Sequence, residues 1–271
     1  MMENTNIITQ DLFWRPERKE DYILENITGT FEKGYLYGII GPNGSGKTSL
    51  VRNILRFVEA TKGTIKIDNQ NIHAIKRKHL AKKLALVPQN TRMNSSFTAH
   101  DIVMMGRNPY QKRFSDASRE DEEIVCNAMK LTDCYQYKDK SVSLLSGGEV
   151  QRVATARAIA QDTDWLILDE PTASLDIKHQ VELMTSLIKL KKEKGKSIIT
   201  ILHDINIAAE YCDRIVIMKE GRIVCQGERE DVLTKENLKM VYGIPFKVIK
   251  NPVSNTNYFL PCKEEYQEDN K

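Results

Sequence analysis

Residues 41–48 read Gly41-Pro42-Asn43-Gly44-Ser45-Gly46-Lys47-Thr48, a full match to GxxxxGK[ST]. The apolar run Tyr35–Ile40 leads into this loop, and Ser49–Phe57 follows with apolar residues at helical spacing. Glycines let the backbone turn tightly and approach phosphate without Cβ clashes. Successive main-chain N–H groups then form an anion nest, and the following helix turns its N-terminus toward the phosphates. Lys47 would neutralise the β- and γ-phosphates, and Thr48 would supply a hydroxyl to Mg²⁺. The loop therefore predicts a strand–loop–helix unit that binds a magnesium-complexed nucleoside triphosphate.

The rest of the chain supplies a matching α/β alternation. Short β-like runs lie at Ile7–Phe13 and Asn26–Glu32, with further strands at Thr64–Ile67 and Leu84–Val87. From Thr91 to Asp162 the strand signal stops and the periodicity is helical, at Ala99–Met105, Arg119–Leu131 and Glu149–Ala160. Then come a strand at Trp165–Leu168, a helix at Ile177–Lys194, a strand at Ile198–Leu202 and a helix at Ile205–Tyr211. Arg214–Met218 and Ile223–Gln226 read as a hairpin about Glu220-Gly221, and Lys263–Lys271 as a polar, disordered tail. Strands alternating with helices predict a mostly parallel sheet covered on both faces. The interrupting stretch is the expected helical lobe.

Composition removes other classes. The apolar runs are strand-length, well short of the roughly 20 residues of a membrane helix. Forty basic against 37 acidic residues leave a net charge of +3, too small an excess to mark a nucleic-acid surface. The five cysteines include no CxxC pair, which disfavours a zinc site or a disulfide framework and fits a reducing compartment.

Asp169 and Glu170 close the buried-type strand Trp165–Leu168, and ligands of open α/β sheets sit at such strand ends. Asp169 would hold Mg²⁺, and Glu170 would polarise the attacking water. Phosphoryl transfer needs positioning and charge stabilisation more than covalent chemistry, so such a pair suffices. His203 ends the strand Ile198–Leu202, within reach of a γ-phosphate, and Gln89 follows Leu84–Val87 in the same way. Leu145-Ser146-Gly147-Gly148-Glu149 opens the helix Glu149–Ala160, with Ser146 as its cap. One nucleotide rarely needs two anion sites in one chain, so this one could complete the site of a second subunit.

With these motifs in this order, the sequence resembles the ATP-binding cassette (ABC) family along nearly its whole length. Gly41–Thr48 looks like the Walker A loop, Gln89 the Q-loop, Leu145–Glu149 the signature and Ile167–Glu170 the end of Walker B. Ser174-Leu175-Asp176 matches the D-loop and His203 the switch histidine. Glu149 stands where many members have Gln. The resemblance implies ATP and Mg²⁺ as ligands, with Thr48, Gln89 and Asp169 around the metal and Glu170, His203 and Gln89 serving hydrolysis. It implies contacts of Ser146, Gly147, Gly148 and Asp176 to nucleotide across a head-to-tail dimer. It also implies an aromatic residue on adenine, with Trp14 the candidate and Phe13 or Tyr22 as alternatives.

The implied fold is a P-loop NTPase of the α/β class: a RecA-like parallel core with an antiparallel β subdomain and an inserted helical subdomain. Residues 1–240 would form the ATPase domain, with 1–90 and 163–227 as its core and 91–162 as the lobe; 241–271 would be a C-terminal extension. The stretch Phe97–Tyr110, the run Leu202–Asn206 and Val241–Pro245 resemble importers for iron–siderophore, haem and cobalamin, with Tyr110 in place of their usual His. The expected partners are transmembrane permease subunits, a second ATP-binding subunit and, indirectly, an extracytoplasmic substrate-binding protein. No nucleic acid is expected. The place would be peripheral, on the cytoplasmic face of the membrane. Residues around Gln89–Gly106 would meet the permease, with Met104 and Arg107 expected on that surface. The alternatives are a soluble ABC ATPase acting on nucleic acid or ribosomes, an ABC subunit for another cargo, or a small-molecule kinase. Such a kinase would have no need of Leu145–Glu149.

Overall fold

The computed structural model describes residues 6–17, 20–89, 91, 96–111, 117–173 and 175–263. The strands in chain order are β1 (Ile7–Trp14), β2 (Leu24–Phe31), β3 (Leu36–Ile40), β4 (Lys62–Ile67), β5 (Gln70–Asn71), β6 (Leu84–Val87), β7 (Trp165–Leu168) and β8 (Ser197–Ile201). They continue with β9 (Arg214–Lys219), β10 (Arg222–Glu228), β11 (Phe246–Lys250) and β12 (Asn257–Pro261). The helices are α1 (Lys47–Ile54), α2 (Arg77–Leu80), α3 (Ala99–Met104), α4 (Arg119–Leu131) and α5 (Gly147–Ala160). After them come α6 (Ile177–Lys194), α7 (Ile205–Tyr211), α8 (Arg229–Val232) and α9 (Lys235–Tyr242). The chain divides into two compact units.

One unit contains residues 32–34 and 70–200. Its strands β6, β7 and β8 run parallel, with Leu84 opposite Trp165 and Trp165 opposite Ser197. Every residue of β7 and β8 is buried, which explains their unbroken apolar sequence. Three helices of this unit announce their starts by the same pattern. Thr98 with Asp101, Ser118 with Asp121 and Ser146 with Glu149 each form a reciprocal capping box. Their apolar faces then meet in one lobe core, built on Ile102, Val103, Val125, Met129 and Val153. Cys134 lies in that core, and burial pushes its thiol up to about 11, which keeps it unreactive.

Gly106 marks the tightest approach in the lobe. A Cβ there would stand 2.3 Å from the Arg157 carbonyl oxygen on α5. Gly106→Ala should therefore cost about 1–3 kcal/mol through overpacking. Thermal denaturation checks this, and an unchanged midpoint would contradict it.

The other unit contains residues 6–31, 35–69 and 201–263. In it β2, β1 and β4 form an antiparallel sheet, while β3 pairs in parallel with β9 and β10 turns back against β9. All of β3 is buried. Helix α1 starts at Lys47, two residues earlier than its apolar periodicity indicates, because Lys47 and Thr48 are polar yet already helical. Besides the short helix α8, further elements of this unit were not read from the sequence. They are α9, capped by Thr234, and the hairpin β11–β12. Of the predicted polar tail Lys263–Lys271, Lys263 is exposed and residues 264–271 lie outside the described residues.

Candidate functional site

The phosphate loop belongs to the second unit. Gly41 has φ +149°, and a Cβ there would lie 2.1 Å from the Met218 carbonyl oxygen on β9. Only glycine lets β3 turn into the loop beside β9. Gly46, left-handed at φ 96°, caps α1, and no side-chain hydrogen bond fills the cap. Asn43 and Gly44 are exposed, whereas Lys47 is buried. The Lys47 ammonium donates to the carbonyls of Gly41 (2.8 Å) and Pro42 (2.9 Å). Ser45 Oγ is buried without a hydrogen-bond partner. A curled lysine, an orphaned hydroxyl and an uncapped helix start together form a cradle whose chemistry fits a polyphosphate. Also in this unit, Leu202 N–H donates to the Ile39 carbonyl, and His203 follows, exposed, directly after it.

The acidic strand end belongs to the first unit. The Asp169 N–H donates to the Val87 carbonyl (2.9 Å), extending the β6–β7 pairing by one residue. Asp169 itself is buried. Beyond it, Gln89 Nε2 donates to Glu170 Oε2, bringing together two predicted residues from separate strand ends. Glu170 has φ 50°, a left-handed backbone that a non-glycine residue adopts at a cost. Such strain tends to collect where a side chain must be aimed.

The signature begins α5. Both the main-chain N–H and the hydroxyl of Ser146 donate to Glu149 Oε2, each at 2.7 Å. These two bonds, the main-chain one foremost, hold the Glu149 carboxyl below its ordinary range. A Cβ on Gly147 would meet nothing, so the start of this helix is open to an incoming group. Asp176 caps α6, accepting from the His179 N–H at 2.9 Å. Ser174 lies outside the described residues.

Trp14 is half-buried at the end of β1, where its carbonyl accepts from the Ile23 N–H. Phe13 and Tyr22 stack edge-on with centroids 5.3 Å apart, and Arg15 lies over the Tyr22 ring.

One expectation needs correction. Arg107 is only 5% exposed and so does not stand on the surface, whereas Met104 is half-buried, with one side packed on the lobe core. Arg107 is drawn inward because its guanidinium pairs with Asp121 at 2.7 Å and donates to the Ala160 carbonyl at 2.8 Å. Phe97 and Met105 carry the exposed apolar surface of this stretch instead. Residues 90 and 92–95 lie outside the described residues. Sequence reasoning also missed the link from the Thr91 hydroxyl to Gln151 Oε1 on α5, for which no local pattern exists.

A phosphate loop after a buried strand and a paired glutamate at another strand end define a P-loop ATPase. Residues 24–173 match the family model described as ABC transporter. The chain is 37% identical over 239 residues to the ferric enterobactin transport ATP-binding protein FepC of Escherichia coli (strain K12), covering 88% of each chain. It is 35% identical over 243 residues to the hemin import ATP-binding protein HmuV of Rhodococcus jostii (strain RHA1), covering 90% of this chain and 82% of that one. Its structure is similar, at a TM-score of 0.73 and 27% identity, to the ATP-binding cassette MJ0796, solved as a dimer in a post-hydrolysis state bound to ADP and Pi. That likeness covers 82% of this chain and 98% of the other. The chain belongs to the ABC transporter family and carries that family's mixed α/β ATPase fold. Among the described residues, no helix is long and apolar enough to cross a membrane.

Proposed function

We propose that this chain is the ATP-hydrolysing subunit of an importer, serving a separate membrane permease that takes up an iron–siderophore, haem or cobalamin. The observation that carries the hydrolytic part is the Glu170 carboxylate, held by Gln89 at the end of a buried strand. The cargo class rests on the relatives named for ferric enterobactin and hemin.

In this reading the main chain of Gly41–Gly46 and the Lys47 ammonium bind the β- and γ-phosphates, and Trp14, Phe13 or Tyr22 stacks on adenine. Thr48, Asp169 and Gln89 would hold Mg²⁺, which when bound would neutralise phosphate charge. One hydroxyl, one carboxylate and one amide are hard oxygen donors of the kind that suits Mg²⁺. Glu170 polarises the attacking water. The water oxygen bonds to the γ-phosphorus, the bond to the β–γ bridging oxygen breaks, and the water proton moves toward the carboxylate. Lys47 and His203 balance the charge on the γ-phosphate oxygens.

Ser146, Gly147 and Gly148 of one copy, with its Asp176, close the nucleotide site of a second copy. Closure with ATP and opening after hydrolysis are then two states that the nucleotide selects between. Residues 1–90 and 163–227 serve as the ATPase core, 91–162 as the lobe facing the permease and 241–271 as an extension. The subunit sits peripherally on the cytoplasmic face of the membrane, and a substrate-binding protein acts on the far side.

ATPase assays of the purified chain test the partner. Stimulation by a co-purified permease supports the importer, whereas stimulation by nucleic acid with no response to permease overturns it. Lys47→Ala should weaken ATP binding by at least about tenfold, the worth of one charge-assisted contact to phosphate. Titration with a fluorescent ATP analogue measures this, and unaltered affinity would remove Lys47 from the site.

A further inference from the structure

Helix α7 follows His203 directly and spans only Ile205–Tyr211. Two turns of helix do not hold themselves in water, so the orientation of α7 is set by what it is fastened to. At its start the helix is capped by Asp204, whose Oδ1 accepts from the N–H groups of Asn206 (2.7 Å) and Ile207 (3.2 Å). His203 is therefore one residue from a cap that is tied to Asn206.

Asn206 in turn grips β12. Its Oδ1 accepts from the Phe259 N–H at 2.7 Å, and its Nδ2 donates to the Phe259 carbonyl at 3.2 Å. An amide that reads both main-chain groups of one residue fixes rotation as well as distance. One turn further along the same face, Glu210 Oε2 accepts from the hydroxyls of Thr256 (2.6 Å) and Ser254 (2.7 Å) and from Asn251 Nδ2 (3.4 Å). Those three residues lie between or at the ends of β11 and β12. The Phe259 side chain itself is buried, 1% exposed.

We propose that Asn206 and Glu210 are positioning residues: they fasten α7 to the C-terminal hairpin, and the hairpin thereby sets where His203 stands for hydrolysis. The idea rests on the reading of His203 as a γ-phosphate contact. It assigns the segment 246–261 a part in the chemistry without touching nucleotide.

The test is a double-mutant cycle on the full-length chain, with kcat and KM for ATP measured separately. Asn206→Ala should lower kcat by about tenfold or more, since misplacement of a reacting group by about 1 Å costs up to about a hundredfold. KM should stay within about twofold, because ground-state binding is made elsewhere. In the His203→Ala background the same change should do nothing further. A kcat unchanged by His203→Ala would overturn the role of His203 and the brace with it. A kcat lowered by His203→Ala, joined to an unchanged or fully multiplicative effect of Asn206→Ala, would overturn the brace alone. Ser254→Ala with Thr256→Val, which removes two donors from Glu210 without altering α7, repeats the cycle if Asn206→Ala fails to fold. It should lower kcat in the same background-dependent way.

Discussion

Glu170→Gln will lower steady-state ATP hydrolysis by roughly 10²–10⁴-fold, the usual worth of a positioned general base, while ATP still binds. The substitution keeps the side-chain volume and an oxygen that can accept from Gln89 Nε2, so the local geometry survives. Glutamine also tolerates the left-handed backbone at 170 about as well as glutamate does. What disappears is the negative charge, and with it the ability to draw a proton from water. The phosphate loop, with Lys47 and the uncapped start of α1, is untouched. ATP should therefore accumulate in its bound form, and a closed pair of subunits should persist. Phosphate release measures the first effect. Size-exclusion chromatography with and without ATP measures the second, as a doubling of apparent mass. Hydrolysis within a few-fold of the unaltered chain would remove Glu170 from the role of base, and Lys47→Ala should fail to form the ATP-dependent pair at all.

What the sequence discloses and what it conceals differ by distance along the chain. The loop at Gly41–Thr48 is legible because its chemistry depends on eight consecutive residues. Strands β7 and β8 are legible because burial on both faces demands unbroken apolar runs. The lobe helices are legible because their buried apolar residues, such as Val125 and Met129 on α4, recur at helical spacing. The pairing of Gln89 with Glu170 spans 81 residues, and nothing near either one announces the other. The attachment of Asn206 to Phe259 spans 53 residues and uses main-chain groups, which every residue carries. Strands β11 and β12 escape notice because Lys247, Ile249, Tyr258 and Leu260 share an outer face that mixes charge with apolar bulk. No clean alternation survives that mixture. Arg107 was misplaced for a related reason: a cation in an amphipathic stretch reads as surface until its buried carboxylate is found.

That carboxylate makes Arg107→Ala the most damaging change expected in the helical lobe. The Arg107 side chain is 6% exposed and that of Asp121 is 11% exposed, so the pair is largely out of water. Its guanidinium also stacks 4.1 Å from the centre of the Tyr110 ring, whose hydroxyl donates to the Asp162 carbonyl. Truncation leaves Asp121 with only the N–H and hydroxyl of Ser118, and leaves the Ala160 carbonyl short of a donor. Removing one partner of a buried ion pair costs about 3–5 kcal/mol. Arg107→Lys should recover only part of this, because an ammonium cannot pair, donate to Ala160 and stack at once. The loss should also depend on pH. The hydrogen bond from Arg107, and then those from Ser118, hold the Asp121 carboxyl below its ordinary value against the opposing effect of burial. A depressed folded-state value means that the stabilisation is complete above the unfolded value, near pH ~4. It fades as the pH falls through the folded value. The deficit of Arg107→Ala, measured by urea denaturation, should accordingly be large at pH 7 and smaller at pH 3. An equal deficit at both pH values would mean that lost packing against Tyr110, rather than the charge pair, is what Arg107 contributes.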